Sequence, residues 1–189
     1  MKLKQIAMLV AAAFVSNVRG LYAFSARGAE GVNRFGADGP GFSGRTACYS
    51  KAGLGIAGTA DRVKITAPNG AGVDYSINGI AYHAADADNI DTGAGAVQAA
   101  DTICLYLIQL DTAGTLTVVK GEEVLTTDVT AGRAVQWPTP TVNKCPIGGV
   151  KVVTVAVTFT LGTTNFDASG VTETWYDFAG GMPNAPQTS

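Results

Sequence analysis

The chain contains one histidine, His83, and it stands close in sequence to Asp86 and Asp88. A histidine beside carboxylates is the raw material of general acid–base and nucleophilic catalysis. A hydrolase also needs a nucleophile and an oxyanion hole, and no GxSxG string or other local nucleophile signature accompanies it. His83 therefore reads as a structural or interface histidine. Asp86-Ala87-Asp88-Asn89-Ile90-Asp91 looks like a calcium loop at first sight. An EF-hand register starting at Asp86 would need a ligand at Ile90, a glycine at Asp91 and a glutamate at Val97, and none fits. Gly53-Leu54-Gly55-Ile56-Ala57-Gly58 fits the GxGxxG string as written. That motif works only between a strand and a helix whose N-terminus holds pyrophosphate. The residues that follow are strand-like and broken by Pro68, so the nucleotide reading fails. Glu122-Glu123 beside Gly121 reads as a solvated turn. Trp137-Pro138-Thr139-Pro140 is extended by the fixed φ of proline, and reads as a crossing linker anchored by Trp137, with a ligand for an aromatic groove as the alternative. No catalytic, metal-binding or cofactor-binding residue is assigned.

Cysteine chemistry is equally sparse. Cys48, Cys104 and Cys145 are an odd number at wide spacings, with no CxxC pair for zinc or redox work. Three buried thiols in a reducing compartment is the preferred reading; one disulfide plus a free thiol is the alternative. Of the 189 residues 47% are hydrophobic and only 15% charged, against a usual charged share of roughly 25%. There is apolar material enough for a core, which excludes wholesale disorder. A net charge of −2 argues against a protein held on nucleic acid phosphates, which needs a basic excess. Low charge also fits a surface partly covered by other subunits.

The elements that must position these residues read as strands. Val73-Asp74-Tyr75-Ser76-Ile77 and Ile80-Ala81-Tyr82-His83-Ala84 alternate around Asn78-Gly79. Asn-Gly tolerates the positive φ of a type I′ turn. The turn predicts Ile77 opposite Ile80 and Tyr75 opposite Tyr82, with Asp74, Ser76, Ala81 and His83 on the other face. Ile103–Leu110 is an apolar strand covered on both faces, Asp111–Gly114 turns, and Thr115–Lys120 returns. Val150–Thr160 is the longest β-branched run, Val171–Phe178 closes the series, and Ala94–Ala100 reads as a link. This pattern predicts an all-β fold, an antiparallel β-sandwich that is jelly-roll-like. The expected division is an N-terminal arm over 1–60, a β-sandwich over 61–180 and a tail over 181–189.

Residues 1–20 carry Lys2 and Lys4 before an apolar run from Ile6 to Val15. The run is shorter than the ~20 residues of a membrane span. We read it as a subunit-contacting segment with a short helix; an export signal is the alternative. Residues 21–60 space their aromatics and aliphatics widely among Gly, Ala and Ser. That suits an extended arm that lays isolated anchors on a neighbour; a loop-rich lead into the core is the alternative.

Four stretches taken together resemble accessory virion proteins of tailed bacteriophages, particularly capsid decoration (cement) proteins and some head-fibre proteins. They are Ile77–Ile90, Cys104–Gly121, Trp137–Val152 and Thr158–Phe166, and the likeness spans residues 73–178. Lys144-Cys145-Pro146-Ile147-Gly148 before a β-branched strand is its most specific piece. The resemblance implies a non-enzymatic structural protein, made in the host cytoplasm and carried on the capsid surface of the virion. It would bridge neighbouring major capsid subunits against internal DNA pressure. The implied partners are the major capsid protein and further copies of the chain, a homotrimer rather than a dimer, with no nucleic acid, membrane or cofactor. On that reading Phe14, Leu21, Tyr22, Phe24, Phe35 and Phe42 are the arm anchors. A head-fibre or tail or baseplate adaptor is the alternative, and a secreted bacterial surface or pilus subunit a further one.

Overall fold

The computed structural model describes residues 45–180. The anchors expected at Phe14, Leu21, Tyr22, Phe24, Phe35 and Phe42, and the tail over 181–189, lie outside the described residues. Among the described residues, thirteen strands and one short helix follow in chain order. They are β1 (Ala47–Cys48), β2 (Leu54–Ile56), β3 (Val63–Ile65), β4 (Val73–Ile77), β5 (Ile80–Ala84), β6 (Ala87–Ile90) and β7 (Val97–Gln98). Then come β8 (Thr102–Leu110), β9 (Leu116–Lys120), β10 (Val124–Leu125), α1 (Thr126–Thr130), β11 (Cys145–Thr154), β12 (Phe159–Thr160) and β13 (Val171–Asp177). The structure is all-β with antiparallel sheets.

A five-stranded sheet is built on β8. β11 lies along one side with β13 beyond it, and β9 and β10 share the other side. Two three-stranded sheets have the orders β1-β4-β5 and β2-β3-β6, and β7 pairs with β12. All nine residues of β8 are buried, because alternate side chains enter different cores. Cys104, Tyr106, Ile108 and Leu110 join the main cluster with Val73, Tyr75, Ile147, Val152, Phe159 and Phe166. Ile103 and Leu105 join a second cluster with Val124, Val129 and Val135, under Trp137 and Val153. Fully burying each such aliphatic contributes about 1.5–3 kcal/mol before the entropy of ordering it is subtracted. β8 thus has the apolar character of a strand with no solvated face.

The Asn78-Gly79 hairpin has the predicted register, with Ile77 opposite Ile80 and Tyr75 opposite Tyr82. Asn78 and Gly79 take φ of 52° and 82°, and the two tyrosine rings stack at 5.7 Å. Two details differ from the expected faces. Ile80 is 61% exposed beside the turn of the hairpin. Ser76 is buried, because its hydroxyl donates to the carbonyl of Arg45 across the incoming chain.

Residues 45–60 differ from the expected arm. They hold β1 on β4 and β2 on β3, and they bury Cys48, Ala52 and Leu54. The run Val150–Thr160 is also interrupted. β11 ends at Thr154, Ala156 turns with φ of 56°, and Phe159–Thr160 crosses to pair with β7. At its other end β11 starts at Cys145 and absorbs Pro146 through a register shift between Pro146 and Gly148. A bulge is the place where a sheet tolerates the missing N–H of proline.

Candidate functional site

The acidic residues that resembled a metal loop are occupied by backbone amides. Asp86 Oδ1 accepts from Ala67 N at 2.8 Å, Asp88 Oδ1 from Gly58 N at 3.1 Å and Asp91 Oδ1 from Gly93 N at 2.8 Å. Asn89 Oδ1 accepts from Thr59 N at 2.6 Å. Asp88 and Asn89 clip β6 to the turn that joins β2 and β3, Asp86 holds the chain just after β3, and Asp91 closes its own loop. The glycine string is part of that same hairpin, with β2 paired to β3 where a dinucleotide site needs a helix. Among the described residues no group of three His, Cys, Asp or Glu side chains is placed to hold a metal ion.

His83 is brought to Asp74, with Nδ1 and Oδ1 2.8 Å apart, and not to Asp86 or Asp88. The register set by Asn78-Gly79 already dictates this, since it places residue 74 opposite residue 83. Both side chains are more than half exposed, so the pair adds little to stability. His83 also borders a cavity of about 450 Å³ between the β5–β6 connection and the β8–β9 turn. Ile65, Ala84, Ala87, Ile90 and Leu116 supply its apolar wall, and Asp91 and Thr115 its polar rim. No sequence motif announced this cavity, because its walls come from three separated stretches of chain.

The β8–β9 turn is held by Asp111. Its Oδ1 accepts from Ala113 N at 2.9 Å and Thr115 N at 3.0 Å. The Thr115 amide, helped by that of Ala113 and by Lys144, holds the carboxyl below its ordinary range against the opposing effect of burial. Glu123 is also lowered. Burial pushes it up, but the Lys120 ammonium and the Ala99 amide outweigh that.

The three cysteines are free and buried. Burial pushes the Cys48 and Cys104 thiols up to about 11 and that of Cys145 to about 12. Thiols held so far from ionisation are poor nucleophiles at neutral pH. The sequence reading missed Gln98, which is fully buried. Its Nε2 donates to Val152 O at 3.1 Å and to Thr102 O at 3.2 Å, and its Oε1 accepts from Tyr106 Oη at 3.1 Å. This amide joins β7, β8 and β11. Trp137 packs edge-on against Tyr176 and Phe178 at 5.6 and 4.9 Å, which makes it the anchor of its linker.

No family model, curated protein or solved structure matches the chain. The terms drawn from the resemblance (virion, capsid, bacteriophage, decoration or cement protein) are therefore corrected and withdrawn. The residues that carried them have local reasons to be where they are. Pro146 and Gly148 flank the bulge of β11, and Lys144 Nζ donates to Thr117 Oγ1 at 2.9 Å across the end of β9. Gly149 lies under Trp137, where a Cβ would come within 2.4 Å of the indole.

Proposed function

We propose that the chain is a non-catalytic structural subunit that works by surface contact and assembles with copies of itself. The observation that carries this is that three of the exposed aliphatic residues, Val97, Leu125 and Val155, lie on segments that hydrogen bonds hold together at one end of the fold. Asp101 accepts from Thr126 N through its backbone carbonyl and from Ala156 N through Oδ1, each at 3.0 Å. It thereby brings the segments bearing Leu125 and Val155 together. Val97 joins them, because its carbonyl accepts from Lys120 Nζ at 2.7 Å and Glu123 bonds the amide of Ala99. Leu125, Val155 and Val97 are each half exposed or more. Single exposed aliphatics need no explanation, whereas a gathered group marks an interaction surface. The use of carboxylates as amide clips and of thiols as core residues supports a structural role. The main apolar cluster, shared by the five-stranded sheet and both three-stranded sheets, supports a sandwich as the finer description of the fold.

Sedimentation of the purified full chain at micromolar concentration tests the reading. A mass of two or three chains is expected, and Val155→Lys is expected to shift it to one. A monomer throughout the concentration range overturns the proposal.

A further inference from the structure

β5 and β6 are consecutive strands, and among the described residues each is the last strand of its sheet. β5 pairs with β4 alone among the described residues. In a hairpin closed by a two-residue turn the flanking pair is hydrogen-bonded, and bonded pairs alternate with unbonded ones. Ile80, Tyr82 and Ala84 therefore direct their backbone groups at β4. Ala81 and His83 direct theirs outward along an edge that no other described strand pairs. Open edges are templates for a further strand.

The cavity of about 450 Å³ lies at this edge, and His83 and Ala84 of β5 are part of its wall. Its floor has spare room. A Cβ built on Gly114 would meet nothing nearer than Ala84 Cβ at 3.8 Å and Tyr75 Oη at 3.9 Å. With Ile65, Ala87, Ile90 and Leu116 around it, the cavity suits one aliphatic side chain. A strand edge beside a side-chain pocket is the arrangement by which proteins take up extended peptides.

Charge decides which peptide. Asp91 is on the rim, Asp74 is bonded to His83, and Asp86 and Asp88 occupy the β5–β6 connection and β6. The sequence has no Lys or Arg between Lys64 and Lys120. Two basic groups come near: Arg62, whose Nη1 donates to Asn89 O, and Lys144, which acts on Asp111 in the β8–β9 turn and donates to Thr117 Oγ1. Amide hydrogen bonds hold one oxygen each of Asp86 and Asp91 without cancelling the negative charge.

We propose that the free edge of β5 and the adjoining cavity take an extended peptide strand of a partner protein. An aliphatic side chain fills the cavity, and Lys or Arg residues flank it against the aspartates. The backbone groups of Ala81 and His83 supply the ladder, and the cavity selects the anchor. This surface is distinct from the end that carries Leu125 and Val155, and the proposal stands without self-assembly.

The test uses the full chain and two labelled peptides followed by fluorescence anisotropy. One alternates Lys with Val and Ile; the other alternates Glu with the same residues. The basic peptide is expected to bind and to weaken by about tenfold or more as added salt shortens the screening length. The acidic peptide is expected not to bind. Ala81→Pro removes an outward N–H where an edge strand tolerates proline, and Ala113→Trp fills the cavity from the exposed turn. Each is expected to weaken binding by about tenfold or more, the loss of the ladder contact or of the anchor pocket. Amide shift mapping of the unmutated chain gives an independent readout, with changes centred on Ala81, His83 and Thr115. No binding, equal binding of both peptides, or shifts centred elsewhere overturns the proposal. Binding that occurs only as the oligomer dissociates also overturns it, since a second copy then occupies the edge.

Discussion

Gln98 is the residue on which the polar interior turns. Three strands meet at its amide, and both ends of the amide are used, by Tyr106 on one side and by Val152 and Thr102 on the other. A buried polar group costs its desolvation unless its partners are supplied. Gln98→Ala removes the acceptor of one buried hydroxyl and the donor to two carbonyls at once. Its expected cost is about 3 kcal/mol in urea denaturation. Tyr106→Phe, which orphans only Oε1, is expected to cost about 1–2 kcal/mol. In the Gln98→Ala background the same tyrosine change should cost measurably less, because the cycle isolates their shared bond. Additive losses would separate the two residues energetically.

At the scale of elements, β1, β2 and the link between them are short but bury Cys48, Ala52 and Leu54 in the main cluster. A chain beginning at residue 61 lacks them and opens the inner faces of β3 and β4. It is expected to lose cooperative thermal unfolding, whereas a chain beginning at residue 44 keeps it. Equal melting of both would make these strands ornamental. Their omission from the sequence reading has a physical reason. Two- and three-residue strands among glycines present no alternation, and their burial comes from partners many residues away. The Asn78-Gly79 hairpin was legible because its turn, register and faces are all local. β8 was legible because a strand with two covered faces is apolar throughout. The end of β11 was not, since the Val-rich run continues through the turn at Ala156. The cavity was not legible either, as residues 65, 83–91 and 113–116 meet only in the folded chain.

Across the whole molecule, ionisation limits stability at both ends of the pH scale. The thiols of Cys48, Cys104 and Cys145 have an ordinary value of 9.0 and are raised by burial to about 11, 11 and 12 in the fold. Groups raised in this way stabilise fully below the unfolded value, and their contribution is lost as pH climbs through the folded one. Tyr75 and Tyr106 are raised as well, chiefly by burial. Asp111 and Glu123 are lowered from 3.8 and 4.5, so their contribution holds above those values and fades as pH falls. Melting temperature is expected to be level between these limits, to decline above pH 9 and to decline again below pH 4. A thiol reagent at pH 8 should react only after denaturant is added. Rapid labelling of the native chain would contradict the buried thiols.

The placement of β8 also bears on how the chain is made. This nine-residue apolar strand leaves the ribosome with β9 close behind it, but its other edge belongs to β11, whose first residue follows more than thirty positions later. At about 5–20 residues per second that interval lasts a few seconds. During it this largely apolar segment of the nascent chain has one open edge and no cover from β11. Synonymous codons that slow translation between Asp111 and Lys144 would lengthen the exposure and favour aggregates, without changing a single residue of the finished protein.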